Sequence, residues 1–130
     1  MGAWSHTSFG NDDAGDFMYE VEKKGVRAVE DAIRSIEKAK ADDYIEAPDA
    51  SIVIAAGELL AAANGKPPED FPEEASNVSA KMKPDPKLRA RASAAIARVL
   101  AASELRELWE ESSDFDAWRA DVEALIERLK

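Results

Sequence analysis

Between Asp49 and Lys66 the chain carries a single charged residue, Glu58. Around it Ile52, Ala55, Ala56, Leu59, Leu60 and Ala63 recur at the three- and four-residue intervals of a helix. A helix that is apolar on nearly every side is stable only when other elements surround it. Its many alanines let those neighbours come close. The segment therefore calls for a central helix, opened by Pro48-Asp49 and closed by Asn64-Gly65-Lys66-Pro67-Pro68. Glycine suits the left-handed cap, and proline cannot continue a helix.

The rest of the chain supplies the partners. Ala14, Phe17, Met18 and Val21 share one face of a short helix beginning near Asp12. Val26, Val29, Ile33 and Ile36 line a second, expected over about Gly25 to Asp43, with Arg27, Glu30, Arg34, Glu37 and Lys38 on its far side. Ala75, Val78 and Met82 follow Pro72-Glu73-Glu74 on a short helix. Asp85 before Pro86 reads as an N-cap with proline at N1, and Leu88, Ala92, Ala95, Ile96, Val99 and Leu100 then point inward. After Ser103 come Leu105, Leu108 and Trp109; a last helix carries Phe115, Trp118, Val122, Leu125 and Leu129. Ser113 or Asp114 caps it, and Ser113 with Asp116 resembles a capping box, worth about 1 kcal/mol at the cap itself. No period-two strand pattern competes. The expected fold is all-α, a compact bundle of about six short helices in one domain over residues 1–130. Residues 1–11 are expected to pack on the bundle, and 65–72 and 83–86 to be proline-rich connections.

Composition excludes several functions. A chain of 130 residues buries roughly two-thirds of its unfolded surface, enough for one core. Without cysteine there are no disulfides and no thiolate ligands or nucleophiles. One histidine cannot build a multi-histidine zinc site. The longest apolar run, Ile52 to Ala56, is far short of a membrane span, and the Met-Gly-Ala-Trp start shows no secretory pattern. A cytoplasmic protein with no cofactor is expected, and the abundant alanine suits a bacterial source. The net charge of −10 is uneven: residues 1–80 hold 17 acidic and 7 basic residues, whereas residues 81–130 hold 10 of each. Lys81 to Arg98 holds six basic residues against Asp85 alone. The overall field opposes nucleic-acid binding, so the Lys87, Arg91 and Arg98 stripe is expected to complement the acidic half of the same molecule.

The N-terminal segment is unusually dense in capping residues. Asn11-Asp12-Asp13 exceeds what one helix needs, with Asn11 or Asp12 as the cap and Asp13 and Asp16 in the positive first turn. Phe9 is placed as a hydrophobic staple, and Trp4 as a pin onto the core. Gly2-Ala3-Trp4, Phe9, Asn11-Asp12-Asp13-Ala14 and Asp16-Phe17 together resemble the opening signature of the bacterial domain of unknown function 4259. The resemblance continues through Ile54 to Ala63, Gly65-Lys66-Pro67, Ser103-Glu104-Leu105-Arg106-Glu107-Leu108-Trp109-Glu110 and Trp118; Ser5 departs from the glycine expected there. It implies no activity.

Few residues invite chemistry. Asp12, Asp16 and Glu20 recur every four residues, a spacing open to a hard cation but better read as capping and a solvated face. His6 lies among Ser5, Thr7 and Ser8 without a nucleophile scaffold. Glu58 is the costly one, because a charge inside the most apolar helix needs a partner. Arg89, Arg91, Arg98 and Arg106 are the candidates, and a ligand-facing acid is the alternative. Trp109 and Trp118 are expected in the core; exposed, either would mark a binding hot spot. These features favour a non-enzymatic, acidic protein-interaction module for a partner with a basic surface, with an immunity-type protein as one concrete form. The alternative is a small-molecule-binding or weakly catalytic domain with a pocket carboxylate. Neither nucleic acid nor membrane is an expected partner, and the chain is expected to be a monomer or a weak homo-oligomer through its last helix.

Overall fold

The computed structural model describes residues 12–40, 43–68, 71–83 and 85–130. These contain α1 (Asp12–Lys24), α2 (Val26–Glu37), α3 (Ala47–Ala63), α4 (Glu73–Ser79), α5 (Pro86–Ala101), α6 (Glu104–Glu110) and α7 (Phe115–Arg128). No described residue lies in a strand, and no helix among them is long and apolar enough to cross a membrane. The all-α, single-domain expectation holds, with seven helices described.

α3 is central, packing against each of the other six helices. Val53, Ile54, Ala55, Ala56, Leu59, Leu60 and Ala61 are buried on several sides of it at once. Gly57 explains how α5 and α7 come so near. A Cβ there would collide with Ile96 Cδ1 of α5 and lie 3.3 Å from Leu125 Cδ2 of α7. Mid-helix glycine costs about 1 kcal/mol relative to alanine, and here the space it leaves is filled by apolar neighbours. The helix ends as its sequence requires. Gly65 takes φ of 80°, Lys66 N donates to the Ala61 carbonyl and Gly65 N to that of Ala62. This is the six-to-one and five-to-two pairing of a glycine C-cap.

α1 and α2 meet at one residue, Gly25, whose φ of 65° turns the chain sharply. Ala14, Phe17, Met18 and Val21 face inward from α1; Val29, Ile33 and Ile36 do so from α2. At α5, Asp85 accepts from Lys87 N at 3.0 Å and Leu88 N at 3.2 Å, the expected cap before Pro86.

Several sequence expectations are corrected. α2 ends at Glu37, well before Asp43, because Arg98 closes its carbonyl end. Val26 is not in the core: as the first residue of α2, beside the turn, it is 45% exposed, and Ala28 and Ala32 take the inward positions. Ile52 and Ala63 are only half-buried, whereas Val53 and Ile54 are covered. The expected Ser113–Asp116 capping box does not cap α7. Asp114 occupies the cap position with no side-chain cap bond. Instead, Ser112 Oγ accepts from Asp114 N and donates to the Trp109 carbonyl, so the α6–α7 turn is self-contained.

Candidate functional site

Glu58 is buried, as its position in α3 requires, with 4% of its side chain exposed. Its ion pair is with a fifth arginine, outside the four expected. Arg128 Nη1 of α7 donates to Glu58 Oε1 at 2.7 Å and to the Lys66 carbonyl at 3.2 Å. Register explains the choice: Leu125 and Leu129 flank the Gly57 position, so Arg128 in the same turn reaches the next residue of α3. The pair fastens the end of α7 to α3 and to the loop that closes it.

The other arginines are engaged elsewhere. Arg89 Nη1 donates to the carbonyls of Leu129 and Lys130. Arg98 donates to those of Ile36, Ala39 and Lys40. Arg106 donates to Leu100 O at 2.6 Å and to Glu110. Arg91 makes a two-point bond to Glu37, with Nη2 to Oε1 at 2.8 Å. That hydrogen bond, foremost, holds the Glu37 carboxyl below its ordinary pKa and raises that of Arg91. A guanidinium presents several donors in a plane, so it can close two carbonyls at the negative end of a helix.

The Ser103–Trp109 segment is built as tightly. Ser103 Oγ donates to the Val99 carbonyl at 2.8 Å and accepts from Arg106 N at 3.1 Å, capping α6 while bonding back to α5. Glu104 Oε1 accepts from Ala47 N at 2.7 Å. It thereby serves the N-terminus of α3, where Glu46 makes no side-chain cap bond. Glu104 N donates to the Ile45 carbonyl. Tyr44 donates its hydroxyl to Glu107 at 2.9 Å, and this bond, foremost, raises the phenol to about 12. Leu105 and Trp109 are buried beneath, as is Trp118. The segment clamps the α2–α3 connection, and its tryptophan is a core residue.

Trp4, His6, Phe9 and Asn11 lie outside the described residues. Asp12 begins α1, Asp16 is exposed on it, and Glu20 pairs with Lys24 at 3.3 Å. Among the described residues, no group of three or more His, Asp or Glu is arranged to hold a metal ion.

The surface feature that sequence reasoning missed is a groove of about 770 Å³ between the α1–α2 corner and α4 with the link to α5. Val21, Val26, Val78, Met82 and Pro86 give it an apolar lining. Glu22, Glu30, Glu74 and Asp85 supply acids, against Lys81 and Lys83. A smaller hollow along α1 and α4 shares Glu22 and Glu74 and reaches Tyr19, which is 61% exposed. The only signal in the sequence was Val26, misassigned to the core.

A family model described as domain of unknown function, DUF4259, matches residues 2–121. The chain belongs to that family. The DUF4259 match takes in α1 to α6 and reaches into α7, so it includes Glu58 and the Ser103–Trp109 clamp and stops before Arg128. No curated protein and no solved structure matches the chain.

Proposed function

We propose that this DUF4259 chain is a non-enzymatic interaction module, acting in the cytoplasm, that presents an acidic helical surface to a protein partner with a basic surface. The observation that carries the reading is how the charges are sorted. Arg89, Arg98, Arg106 and Arg128 are half-buried and spend donors on main-chain carbonyls. Asp16, Glu20, Glu22, Asp31, Glu73 and Glu74 stay exposed on α1, α2 and α4. With these four arginines half-buried and the net charge at −10, acids outnumber the exposed cations, so the field that a partner meets is negative, and such a field steers basic surfaces toward it. Affinity capture from the source cell at low and moderate ionic strength tests this. A basic protein should be retained at low salt, be released as salt rises, and be lost when the exposed acids of α1 are reversed to lysine. Retention of no salt-sensitive partner would overturn the reading.

The volume of the groove favours one second reading, a small-molecule site, since ligand pockets span about 300–1,000 Å³. An apolar compound that stabilises the chain and is blocked by substitution of Val78 would favour it over a protein partner.

A further inference from the structure

We propose that the groove between the α1–α2 corner and α4 is the docking site for a basic amphipathic helix of the partner. The proposal rests on the interaction reading above and assigns it a place and a ligand chemistry. Among the recurring ways of binding a peptide segment, three engage an extended stretch of its backbone or an apolar face: adding a strand, holding a polyproline helix on aromatic side chains, or burying the apolar face of a helix. Strand addition needs a sheet edge, and no described residue forms a strand. Polyproline recognition needs an aromatic lining, and none of the described residues lining this groove is aromatic. The apolar strip of Val26, Val78 and Met82 suits the third, with methionine able to adjust to the side chains it meets.

Charge decides the polarity of the occupant. Glu22 and Glu30 stand on the α1–α2 side and Glu74 on the α4 side, so acids border the strip from both walls. Lys81 and Lys83 come from the link after α4, with Asp85 beside them. A helix with leucine-like residues on one face and lysine or arginine flanking them would set its apolar face on the strip and its cations against both acidic walls. Along α1 the hollow at Tyr19 extends the contact, and tyrosine is a residue that anchors interfaces.

The test uses the full chain and a synthetic leucine–lysine peptide with leucines at i, i+3, i+4 and i+7. Binding is followed by fluorescence anisotropy, and the contact is mapped by amide chemical shifts. The peptide should bind, become helical, shift amides of the α1–α2 corner and α4, and weaken with salt. Val26→Glu separates the mechanisms, because it adds negative charge while spoiling the apolar strip. Groove docking predicts a loss of at least about tenfold, the equivalent of one buried valine contact; attraction by charge alone predicts tighter binding. Val26 is 45% and Tyr19 61% exposed, so Tyr19→Ser provides a second variant that keeps the fold and should also weaken binding. No binding, undiminished binding by Val26→Glu, or equal binding of a lysine–serine peptide of the same charge would overturn the proposal. So would self-association through this face, seen as a dimer in sedimentation that Val26→Glu abolishes. If a basic partner captured from the cell binds Val26→Glu as well as the parent, the interaction reading stands and the groove assignment falls.

Discussion

Replacing Arg128 with leucine tests whether α7 is held by charge or by its apolar stripe. The substitution takes a guanidinium from a carboxylate whose side chain is only 4% exposed. Removing one member of a buried ion pair costs about 3–5 kcal/mol when the remaining charge keeps no other partner; Glu58 has a further interaction besides Arg128, which favours the lower end. Arg128 retains 24% exposure, so water can reach part of the vacated position and the lower end applies, about 3 kcal/mol. At this chain length that corresponds to a fall in Tm of about 10 °C. The companion variant is Glu58→Leu with Arg128→Leu. An apolar pair of similar volume removes the buried carboxylate and should make the double variant more stable than the single one by about 1 kcal/mol or more. The Lys66 carbonyl loses a donor in both variants; because Lys66 is exposed, water replaces that donor, and the comparison isolates the carboxylate. Urea unfolding reads the outcome through Trp109 and Trp118, both buried. A loss below about 1 kcal/mol for Arg128→Leu, or a double variant no more stable than the single, would refute the reasoning.

Ser103→Ala should cost about 1–2 kcal/mol, since it removes the α6 cap and the bond to Val99, whereas Asp114→Ala should change stability by less than about 0.5 kcal/mol; denaturant midpoints at constant slope check both. Gly57→Val should be much more destabilising than Gly57→Ala in thermal unfolding, because the larger side chain drives further into Ile96 and Leu125 while alanine regains helix propensity. The pH dependence has two limbs. Glu37 sits below its ordinary 4.5, so its contribution is complete above pH 4.5 and is lost as pH falls through the lowered value; Arg91→Gln should remove that part of the acid limb in a Tm–pH series. Tyr44 is raised from 10 to about 12, so its contribution is complete below pH 10 and fades as pH rises toward 12; in a tyrosinate absorbance titration Glu107→Gln should return this phenol toward 10.

What the sequence disclosed and what it hid follow from the range of the forces involved. Local rules were sufficient for α3, for the Gly65 cap and for the Asp85-Pro86 start, since each depends on residues within a turn of one another. Local rules failed at α7. Ser113, Asp114 and Asp116 satisfy the chemistry of a cap, yet Ser112 takes the available bonds through the preceding turn. The partner of Glu58 was hidden for a different reason. Choosing Arg128 over Arg89 requires knowing that Gly57 admits Leu125 and Leu129, a packing fact spanning about half the chain. Periodicity also assigned Val26 inward, because a three–four spacing cannot register that the α1–α2 turn leaves the first residue of α2 uncovered. That error concealed the groove, the feature with most bearing on function.

The same distinction bears on the acidity. In the sequence, the basic run from Lys81 to Arg98 looked available to neutralise the acidic half, and Arg91 with Glu37 does so. Arg98 instead donates to three carbonyls around the end of α2, and Arg89 to two around the end of α7. A carbonyl carries only a fraction of a charge, so an arginine spent there leaves a whole carboxylate elsewhere without a counter-charge. Holding short helices by their C-termini therefore makes the outer surface more acidic than the pairing of opposite residues would. Solubility alone would be served by such acids anywhere on that surface. It does not account for Glu22, Glu30 and Glu74 bordering, on both sides, a strip of exposed Val26 and half-buried Val78 and Met82. An apolar strip between acidic walls is a poor arrangement for facing water and a suitable one for receiving an apolar face flanked by cations.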